Sequence, residues 1–241
     1  MDRVIGRRAV MEVLRSGREI NKILILKNSK LNDILKIARE KKISVSKVEK
    51  KTLDRYGEKH QGVIAFVSPK KYKKFEDLRF SENTFFVILD RIKDPGNFGA
   101  IIRSCEFFNI DAVIIPRKGS AKLTETVWKR SAGALEYIDI VLVENLSKTI
   151  ERLKEKNIWI IGADSEGETC FEKDLTGPVA LILGEEQRGI RKILKEKCDL
   201  LIKIPGRGNI ESLNVSTAAG ILIYEILRQR IEEKNTQKRN R

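Results

Sequence analysis

The chain is poor in the residues on which many catalytic and metal sites are built. It holds a single histidine, His60, and three cysteines, Cys105, Cys170 and Cys198, among 241 residues. One histidine excludes a multi-histidine metal site and disfavours most catalytic triads. Three widely spaced cysteines fit neither a disulfide framework nor a zinc-ligand pattern. Chemistry in this protein is therefore expected to depend on Asn, Ser, Glu, Arg or backbone groups.

Long apolar runs are also missing. No stretch of about 18 apolar residues occurs, which predicts that no helix spans a membrane. The amino-terminal segment MDRVIGRRAV lacks the apolar core of a signal peptide. We therefore expect a cytoplasmic, reduced protein with neither a membrane nor a metal partner. The hydrophobic content of 41% is sufficient for one large domain or two small ones with true cores.

Negative charge is scarce at both ends of the chain. Residues 1–80 contain 22 Lys or Arg against 10 Asp or Glu, residues 81–227 contain 20 against 22, and residues 228–241 contain 6 against 2. A basic front end and tail around a near-neutral middle indicate a module that grips RNA or DNA, attached to a second unit. A thermophile-type surface rich in Lys and Glu is the alternative, but such a surface is expected to be basic and acidic alike.

The first block, residues 1–68, has the pattern of a small α/β unit. GRRAVMEVLRSG carries apolar residues at helical spacing and places Gly17 as a C-terminal cap. KLNDILKIAREKK repeats that spacing, and INKILIL, ISVSKV and GVIAFVS have the composition of strands. The segment 69–83 is polar, basic and nonperiodic, which predicts a linker.

The second block, residues 84–231, alternates apolar runs with helical segments. The predicted strands are 84–90, 111–116, 138–143, 157–163, 178–184 and 199–205, and the helices between them are 97–109, 121–131, 146–156 and 188–198. Continuous apolar strands joined by helices predict a parallel sheet covered on both faces. The last helix is apolar almost all round from 215 to 227, which predicts burial on all sides, in the core or in a subunit interface. The basic tail, 232–241, is expected to be disordered.

Three strand ends carry loops that are too specific for simple connectors, and ligands of open parallel sheets bind at the carboxyl ends of strands. In the first loop, DRIKDPGNFGAIIRS, Asp94 is predicted to cap a helix whose first turn holds Pro95. Asn97 and Arg103 follow, and Arg103 can reach back toward the loop because helical side chains lean toward the N-terminus. The alternative is a plain turn followed by a surface arginine.

The second loop, LILGEEQRGI, ends a buried strand with Gly184, which lets a ligand or another backbone approach closely. Its G-x-x-x-x-G outline lacks the Lys and Ser/Thr of a phosphate loop, and its two carboxylates would face the phosphates. A nucleoside-triphosphate site is therefore rejected. The alternative for Glu185 and Glu186 is the solvated first turn of a helix.

The third loop is IPGRGNIESLNVSTAAG. It begins a G-x-G, but Glu211 takes the next glycine position of the dinucleotide fingerprint, so an NAD site is disfavoured. Asn214 and Ser216 have the residue types of helix N-caps. Capping alone would explain one of them, and not obviously both.

The three loops in this order, with N-x-G-x-x-x-R, then G-E-E-x-x-G-I, then I-P-x-x-G-x-x-x-S-L-N-V-S, resemble the three motifs of the SpoU family. These proteins are RNA ribose 2′-O-methyltransferases of the SPOUT superfamily. The resemblance covers nearly the whole chain, because GRRAVMEVLRSG and HQGV are similar to the family's N-terminal RNA-binding domain, whose fold resembles small ribosomal proteins. Within the family the chain looks most like enzymes that methylate a guanosine in 23S rRNA.

The resemblance implies a parallel-sheet domain at 84–231 whose C-terminal end forms a trefoil knot that holds S-adenosylmethionine. Gly184, Ile204 and Leu213 match positions at which the family binds this cofactor, although composition alone allows Ile204 and Leu213 to be core residues. The positions that match the family's catalytic site are Asn97, Arg103, Glu186, Asn214 and Ser216. The resemblance also implies a homodimer, which suits an all-round apolar last helix.

Two alternatives to an rRNA enzyme stay open at this point. The first is a transfer RNA guanosine 2′-O-methyltransferase, since only the resemblance and the separate first domain favour rRNA. The second is a noncatalytic RNA-binding or ribosome-assembly protein that keeps the fold.

Overall fold

Two sheets organise the chain, and the computed structural model describes residues 2–210 and 212–239. The strands are β1 (Asp2–Ile5), β2 (Ile20–Leu26), β3 (Val45–Val48), β4 (Val63–Val67), β5 (Phe85–Leu89), β6 (Ala112–Pro116), β7 (Asp139–Val143), β8 (Trp159–Thr169), β9 (Val179–Leu183) and β10 (Leu200–Lys203). The α-helices are α1 (Arg7–Ser16), α2 (Asn32–Glu40), α3 (Lys50–Asp54), α4 (Pro95–Phe107), α5 (Glu125–Ser131), α6 (Leu146–Lys154), α7 (Lys192–Lys195) and α8 (Val215–Arg239).

The first block forms a four-stranded mixed sheet with the order β1-β4-β2-β3. β4 runs antiparallel to both of its neighbours, β1 and β2, while β2 and β3 are parallel. The helix expected from GRRAVMEVLRSG is present as α1, and Gly17 ends it with a left-handed φ of 78°. The sequence did not predict β1, because a strand of four residues is too short to show an alternating pattern.

The second block forms a parallel sheet of six strands in the order β10-β8-β9-β5-β6-β7. The predicted parallel sheet is confirmed, since each of its strand pairs is parallel. Every residue of β5 is buried, and its side chains alternate between two cores. Phe85, Val87 and Leu89 pack on the side of α4 and α8, whereas Phe86 and Ile88 pack on the side of α6 and α7.

Two of the predicted helices are shorter than expected. The segment 121–131 becomes helical only at Glu125, and the segment 188–198 forms a helix only at Lys192–Lys195. In the second case Gly189 adopts a φ of 60°, a left-handed conformation that a helix cannot include.

The last helix, α8, is longer than predicted, and the burial predicted for it is seen on one side within this chain. Within this chain only one face is buried, including Ala219, Leu222 and Ile226, while Ile221 and Tyr224 are exposed. The helix also continues to Arg239, so the tail expected to be disordered from 232 is helical as far as that residue; positions 240 and 241 lie outside the described residues.

Ion pairs along α8 contribute to its stability. The guanidinium group of Arg228 pairs with Glu225 at 2.8 Å and with Glu232 at 2.6 Å, one turn before and one turn after it. Such pairs stabilise a helix by a few tenths of a kcal/mol each, roughly 0.2–0.5. None of the helices in the described part of the chain, α8 included, is long and apolar enough to cross a membrane.

The segment 69–83 is fastened to the second sheet rather than free. The backbone N–H of Lys73 donates to the carbonyl of Ile140 at 2.9 Å, and the N–H of Leu142 donates to the carbonyl of Lys73 at 3.0 Å. Phe75 is buried, with the guanidinium group of Arg152 lying 3.8 Å from its ring centroid. The connection therefore extends the β7 edge and restricts movement of the first unit.

Arg18 is the centre of the contact between the two units. Its side chain, 9% exposed, pairs with Asp2 at 2.8 Å and with Glu136 at 3.0 Å, and the Glu136 side chain is 1% exposed. The same guanidinium group lies 4.4 Å from the ring centroid of Trp128 on α5. A desolvated charge pair with a stacked cation fixes the first sheet against the second.

Replacing Arg18 by alanine is expected to destabilise the protein by about 3–5 kcal/mol, because Glu136 would remain as an uncompensated buried charge. Urea unfolding followed by circular dichroism measures the decrease in the free energy of unfolding. Arg7→Ala is the matched control, since the pair of Arg7 with Asp33 is about half exposed on both sides and should cost at most about 1 kcal/mol. Equal losses in the two variants would contradict this role for Arg18.

Candidate active site

Three loops leave the carboxyl edge of the parallel sheet close to one another. β5 and β9 are adjacent, with Leu89 opposite Leu183, so the loops that follow them begin side by side. β10 is the last strand on this side of the sheet and pairs with β8. The loop that follows β10 leaves from the same carboxyl edge and leads into α8. The three sequence motifs therefore meet where ligands of open parallel sheets bind.

An ion pair between a buried carboxylate and a partly exposed arginine joins the first two loops. Asp90, which follows β5, is fully buried, and its Oδ1 accepts a hydrogen bond from Arg191 Nε at 2.8 Å. Its Oδ2 accepts from the backbone N–H of Arg191 at 3.0 Å. Sequence reasoning missed this pair, although a carboxylate at the end of a fully apolar strand was a signal that a partner was needed.

Gly184 allows the loop after β9 to fold back on itself. A Cβ at this position would lie 2.1 Å from the carbonyl carbon of Gly189 and 2.2 Å from the nitrogen of Ile190, so no other residue fits without moving the backbone. The N–H of Gly189 closes the loop by donating to the carbonyl of Glu185 at 2.7 Å. The sequence predicted a close approach at Gly184, and the approaching group is the loop itself.

The start of α4 has the predicted cap. The N–H of Asn97 donates to Asp94 Oδ1 at 2.6 Å, and Pro95 occupies the first turn. This cap fixes Asn97 at the end of the helix that faces the other two loops.

Side chains from the three loops form one hydrogen-bonded cluster. Asn214 Nδ2 donates to Asn97 Oδ1 at 2.9 Å and to Glu186 Oε1 at 3.2 Å. Asn97 Nδ2 donates to Glu186 Oε2 at 3.4 Å, and the Ser216 hydroxyl donates to Asn214 Oδ1 at 2.6 Å. Four of the five predicted catalytic positions are thus in mutual contact, and we call these four residues the polar cluster.

Asn214 performs two functions at once. Its carbonyl accepts the first backbone bond of α8 from Ala218 at 3.0 Å, and its Oδ1 accepts from the N–H of Ser216 at 2.9 Å. Its side-chain nitrogen, Nδ2, donates to Asn97 and Glu186 and so connects α8 to the other two loops. Capping therefore explains Asn214 in part, and it does not explain the hydroxyl of Ser216, which donates to the cluster.

The fifth position, Arg103, lies outside the polar cluster. It follows Asn97 by six residues on α4, or about 9 Å along the axis, and its side chain is exposed. Among the described residues no hydrogen bond or ion pair to its guanidinium group is formed. The group is therefore available to a negatively charged ligand that approaches this edge of the sheet.

The segment between β10 and α8 has the properties that a cofactor such as S-adenosylmethionine requires. Ile204 is half-buried against the core, whereas Leu213 and Ile210 are 46% and 85% exposed. Within the described part of 205–213 no backbone–backbone hydrogen bond forms. Free backbone groups beside uncovered apolar side chains suit an adenine ring and its ribose, so the residues present fit the implied group.

Other chemistry is poorly supported. Burial raises the pKa of the Cys198 thiol to about 11 and that of Cys105 further still, which disfavours a nucleophilic thiolate. His60 lies in the first unit, where its Nδ1 accepts from the Gly62 N–H at 2.9 Å and its Nε2 faces Asp54 at 3.1 Å. Within residues 2–210 and 212–239 no cluster of His, Cys, Asp or Glu is arranged to hold a metal ion.

Family profiles match both units of the chain. Residues 84–224 match the SpoU rRNA Methylase family, and residues 3–73 match the RNA 2′-O ribose methyltransferase substrate binding domain. The chain is 40% identical over 237 residues to a putative TrmH family tRNA/rRNA methyltransferase of Staphylococcus saprophyticus, covering 94% of this chain and 95% of the relative.

Solved structures with similar folds include two SpoU-type enzymes. The SpoU methyltransferase AviRb from Streptomyces viridochromogenes, in complex with AdoMet, superimposes with a TM-score of 0.83 at 25% identity, covering 95% of this chain and 90% of that one. The A. aeolicus TrmH/SpoU tRNA modifying enzyme has a TM-score of 0.56 at 30% identity, covering 64% of this chain and 80% of that one.

The profile match extends over more than half of the chain, and the 40% identity to the staphylococcal relative extends over nearly all of it. The chain therefore belongs to the SpoU rRNA methylase family of S-adenosylmethionine-dependent RNA methyltransferases.

Proposed function

We propose that the protein transfers a methyl group from S-adenosylmethionine to the ribose 2′-hydroxyl of a guanosine in 23S rRNA. The observation that carries the proposal is the meeting of Asn97, Glu186, Asn214 and Ser216 in one cluster, while Arg103 on the same helix as Asn97 is left unpaired among the described residues. A hydroxyl acceptor needs such positioning groups and a cation for its developing negative charge.

Gly184, Ile204 and Leu213 are the residues that we propose hold the cofactor, which supplies an electrophilic methyl group when bound. Gly184 does so indirectly, because the close approach that it permits shapes the loop. The segment around Ile204 and Leu213 contributes free backbone groups and an apolar surface. All three loops begin at the same sheet edge, so a methyl donor held there lies beside the polar cluster.

Arg103 is proposed to bind the phosphate of the target nucleotide and to stabilise the 2′-oxygen as it becomes negative. The proton of the 2′-hydroxyl passes to solvent water. A guanidinium group keeps its proton in proteins, with a pKa above about 12, so it is a poor general base. Its planar fork suits a phosphate oxygen pair, and its position on α4 fixes the phosphate relative to Asn97. Asn97, Asn214 and Ser216 then orient the ribose, and Glu186 holds the two amides in place.

Ribosomal RNA is favoured over transfer RNA by the two-unit organisation. The A. aeolicus tRNA modifying enzyme covers 64% of this chain, whereas this chain carries a separate substrate-binding unit at residues 3–73. The basic surplus lies mainly in residues 1–80, which include the segment matched as substrate binding. Incubation with 23S rRNA and tRNA in separate tubes tests this assignment: methylation of tRNA alone would overturn the substrate, and methylation of neither would favour a noncatalytic assembly protein.

The knot and the homodimer belong to the same proposal. The knot is proposed from membership of the family alone. A homodimer is supported by the apolar side chains that α4 and α8 leave exposed, including Phe107 at 77% and Tyr224 at 54%. Phe108 joins these two helices, with its ring centroid 6.0 Å from that of Tyr224.

Arg103→Lys is expected to lower the rate of methyl transfer by about 100-fold or more at every pH, because lysine cannot make the bidentate grip on phosphate. Single-turnover methyl transfer across a pH series measures this, with calorimetric S-adenosylmethionine binding as the control for an intact cofactor site. If the arginine acted as a base, lysine, with its lower pKa, would restore activity as the pH rises. Full activity in the lysine variant would refute the clamp.

Tyr224→Asp is expected to convert the protein from twice 27.6 kDa to 27.6 kDa in multi-angle light scattering, because a charge would enter an apolar contact surface. Ile193→Asp is the control, since Ile193 on α7 is equally exposed at 54% but lies away from α4 and α8. A wild-type mass of 27.6 kDa, or dissociation of the control alone, would contradict the proposed interface.

A further inference from the structure

A cavity of about 360 Å³ lies between the connecting segment 69–72 and the loop 117–123 that follows β6. Its volume is within the range of small-molecule sites, about 300–1,000 Å³. The residues that line it include Asp2, Tyr72, Pro116, Ser120, Lys122 and Leu123. None of these residues belongs to the polar cluster or to the loops proposed to hold the cofactor.

The cavity opens at the same sheet edge as the active site, one strand away. Pro116 ends β6, which pairs directly with β5. The loop 117–123 is tied to the first motif loop, because the N–H of Ala121 donates to the carbonyl of Ile92 at 2.9 Å. Arg91 also contacts this loop, with its Cγ 3.7 Å from the Cβ position of Gly119. A polymer bound at the polar cluster therefore reaches the cavity within a short distance.

The walls of the cavity combine flat apolar surface with one unused hydroxyl. Pro116, Leu123, Leu142 and the ring of Tyr72 supply the apolar surface. Burial raises the pKa of Tyr72, so its hydroxyl stays neutral. Ser120 Oγ is buried and has no hydrogen-bond partner. A buried hydroxyl without a hydrogen-bond partner destabilises the folded protein. A ligand with a polar edge would supply the missing hydrogen bond.

The rim of the cavity is positively charged. Lys122, which lines the cavity, is exposed and forms no ion pair within the described residues. The carboxylate at the rim, Asp2, is already neutralised by Arg18 at 2.8 Å and accepts from the Lys70 N–H at 3.2 Å. Arg117 pairs with Glu144, but both side chains are more than half exposed, so this pair is weak.

We propose that this cavity binds a second nucleotide of the RNA substrate, with its base against the apolar walls and Ser120 and its phosphate at Arg117 and Lys122. The inference rests on the proposed function and extends it. A base has a flat apolar face and a polar edge, which are the two features the walls can match. Because the lining residues come from both units, the bound nucleotide would also set the position of the first unit along the RNA.

Two variants test the proposal, with one matched control. Lys122→Glu removes a phosphate contact, and Ser120→Ala removes the hydroxyl without adding atoms to the cavity. Lys156→Glu makes the same charge change at an exposed position that precedes β8, at the opposite, amino edge of the sheet. Each variant is assayed for methyl transfer to rRNA and for calorimetric binding of S-adenosylmethionine, with circular dichroism as the check on folding.

Lys122→Glu and Ser120→Ala are expected to raise the KM for rRNA by about tenfold with kcat within about twofold. Lys122→Glu is also expected to reduce the slope of log K against log salt by about one. S-adenosylmethionine affinity should not change in either variant, and Lys156→Glu should behave as the wild type. Wild-type KM in both variants would overturn the cavity assignment while leaving methyl transfer intact. Absence of methyl transfer in the wild type would instead overturn the proposed function and, with it, this inference.

Discussion

The buried contact between Asp90 and Arg191 is the interaction on which the arrangement of the site depends. A carboxylate with no exposure must find its partners inside the protein, and Asp90 finds them in a residue 101 positions away. Because Arg191 immediately precedes α7, this pair sets the loop after β9 against the end of β5. Because Gly184 packs against the backbone of Gly189, the loop is compact. Glu186 in this loop therefore lies near Asn97.

The polar cluster follows from that constraint, and it is organised before any ligand binds. Asn97 is fixed by the cap on α4 and Asn214 by the start of α8, so neither amide has to be ordered when RNA arrives. Preorganised dipoles of this kind act on a developing charge without a reorganisation cost. Arg103 has no hydrogen-bond or ion-pair partner within the described residues, so in the proposed mechanism the polar cluster orients the ribose and Arg103 binds the phosphate.

The sequence predicted those parts of the structure that local patterns encode. Continuous apolar runs located β5, β6 and β9, and the residue types of Asp94 and Gly17 predicted a helix start and a helix end. The face of α8 left exposed could not be read from a helix that is apolar all round, because the pattern carries no direction. Equally, no local sequence pattern predicts the contact of Asp90 with Arg191, or the hydrogen bonds that join Lys73 to β7. The meeting of Asn97, Glu186 and Asn214 was expected only through the family resemblance, since contacts between distant loops depend on strand order.

The measurement that tests the central claim most directly identifies the methylated atom. The wild-type protein and Arg103→Ala are incubated with 23S rRNA and S-adenosylmethionine carrying a deuterated methyl group, and the RNA is digested to nucleosides for mass spectrometry. The account predicts labelled 2′-O-methylguanosine from the wild type and a loss of at least about 100-fold in the variant. Label on a base instead of a ribose, or equal labelling by the variant, would contradict the assignment of this sheet edge as a ribose methylation site.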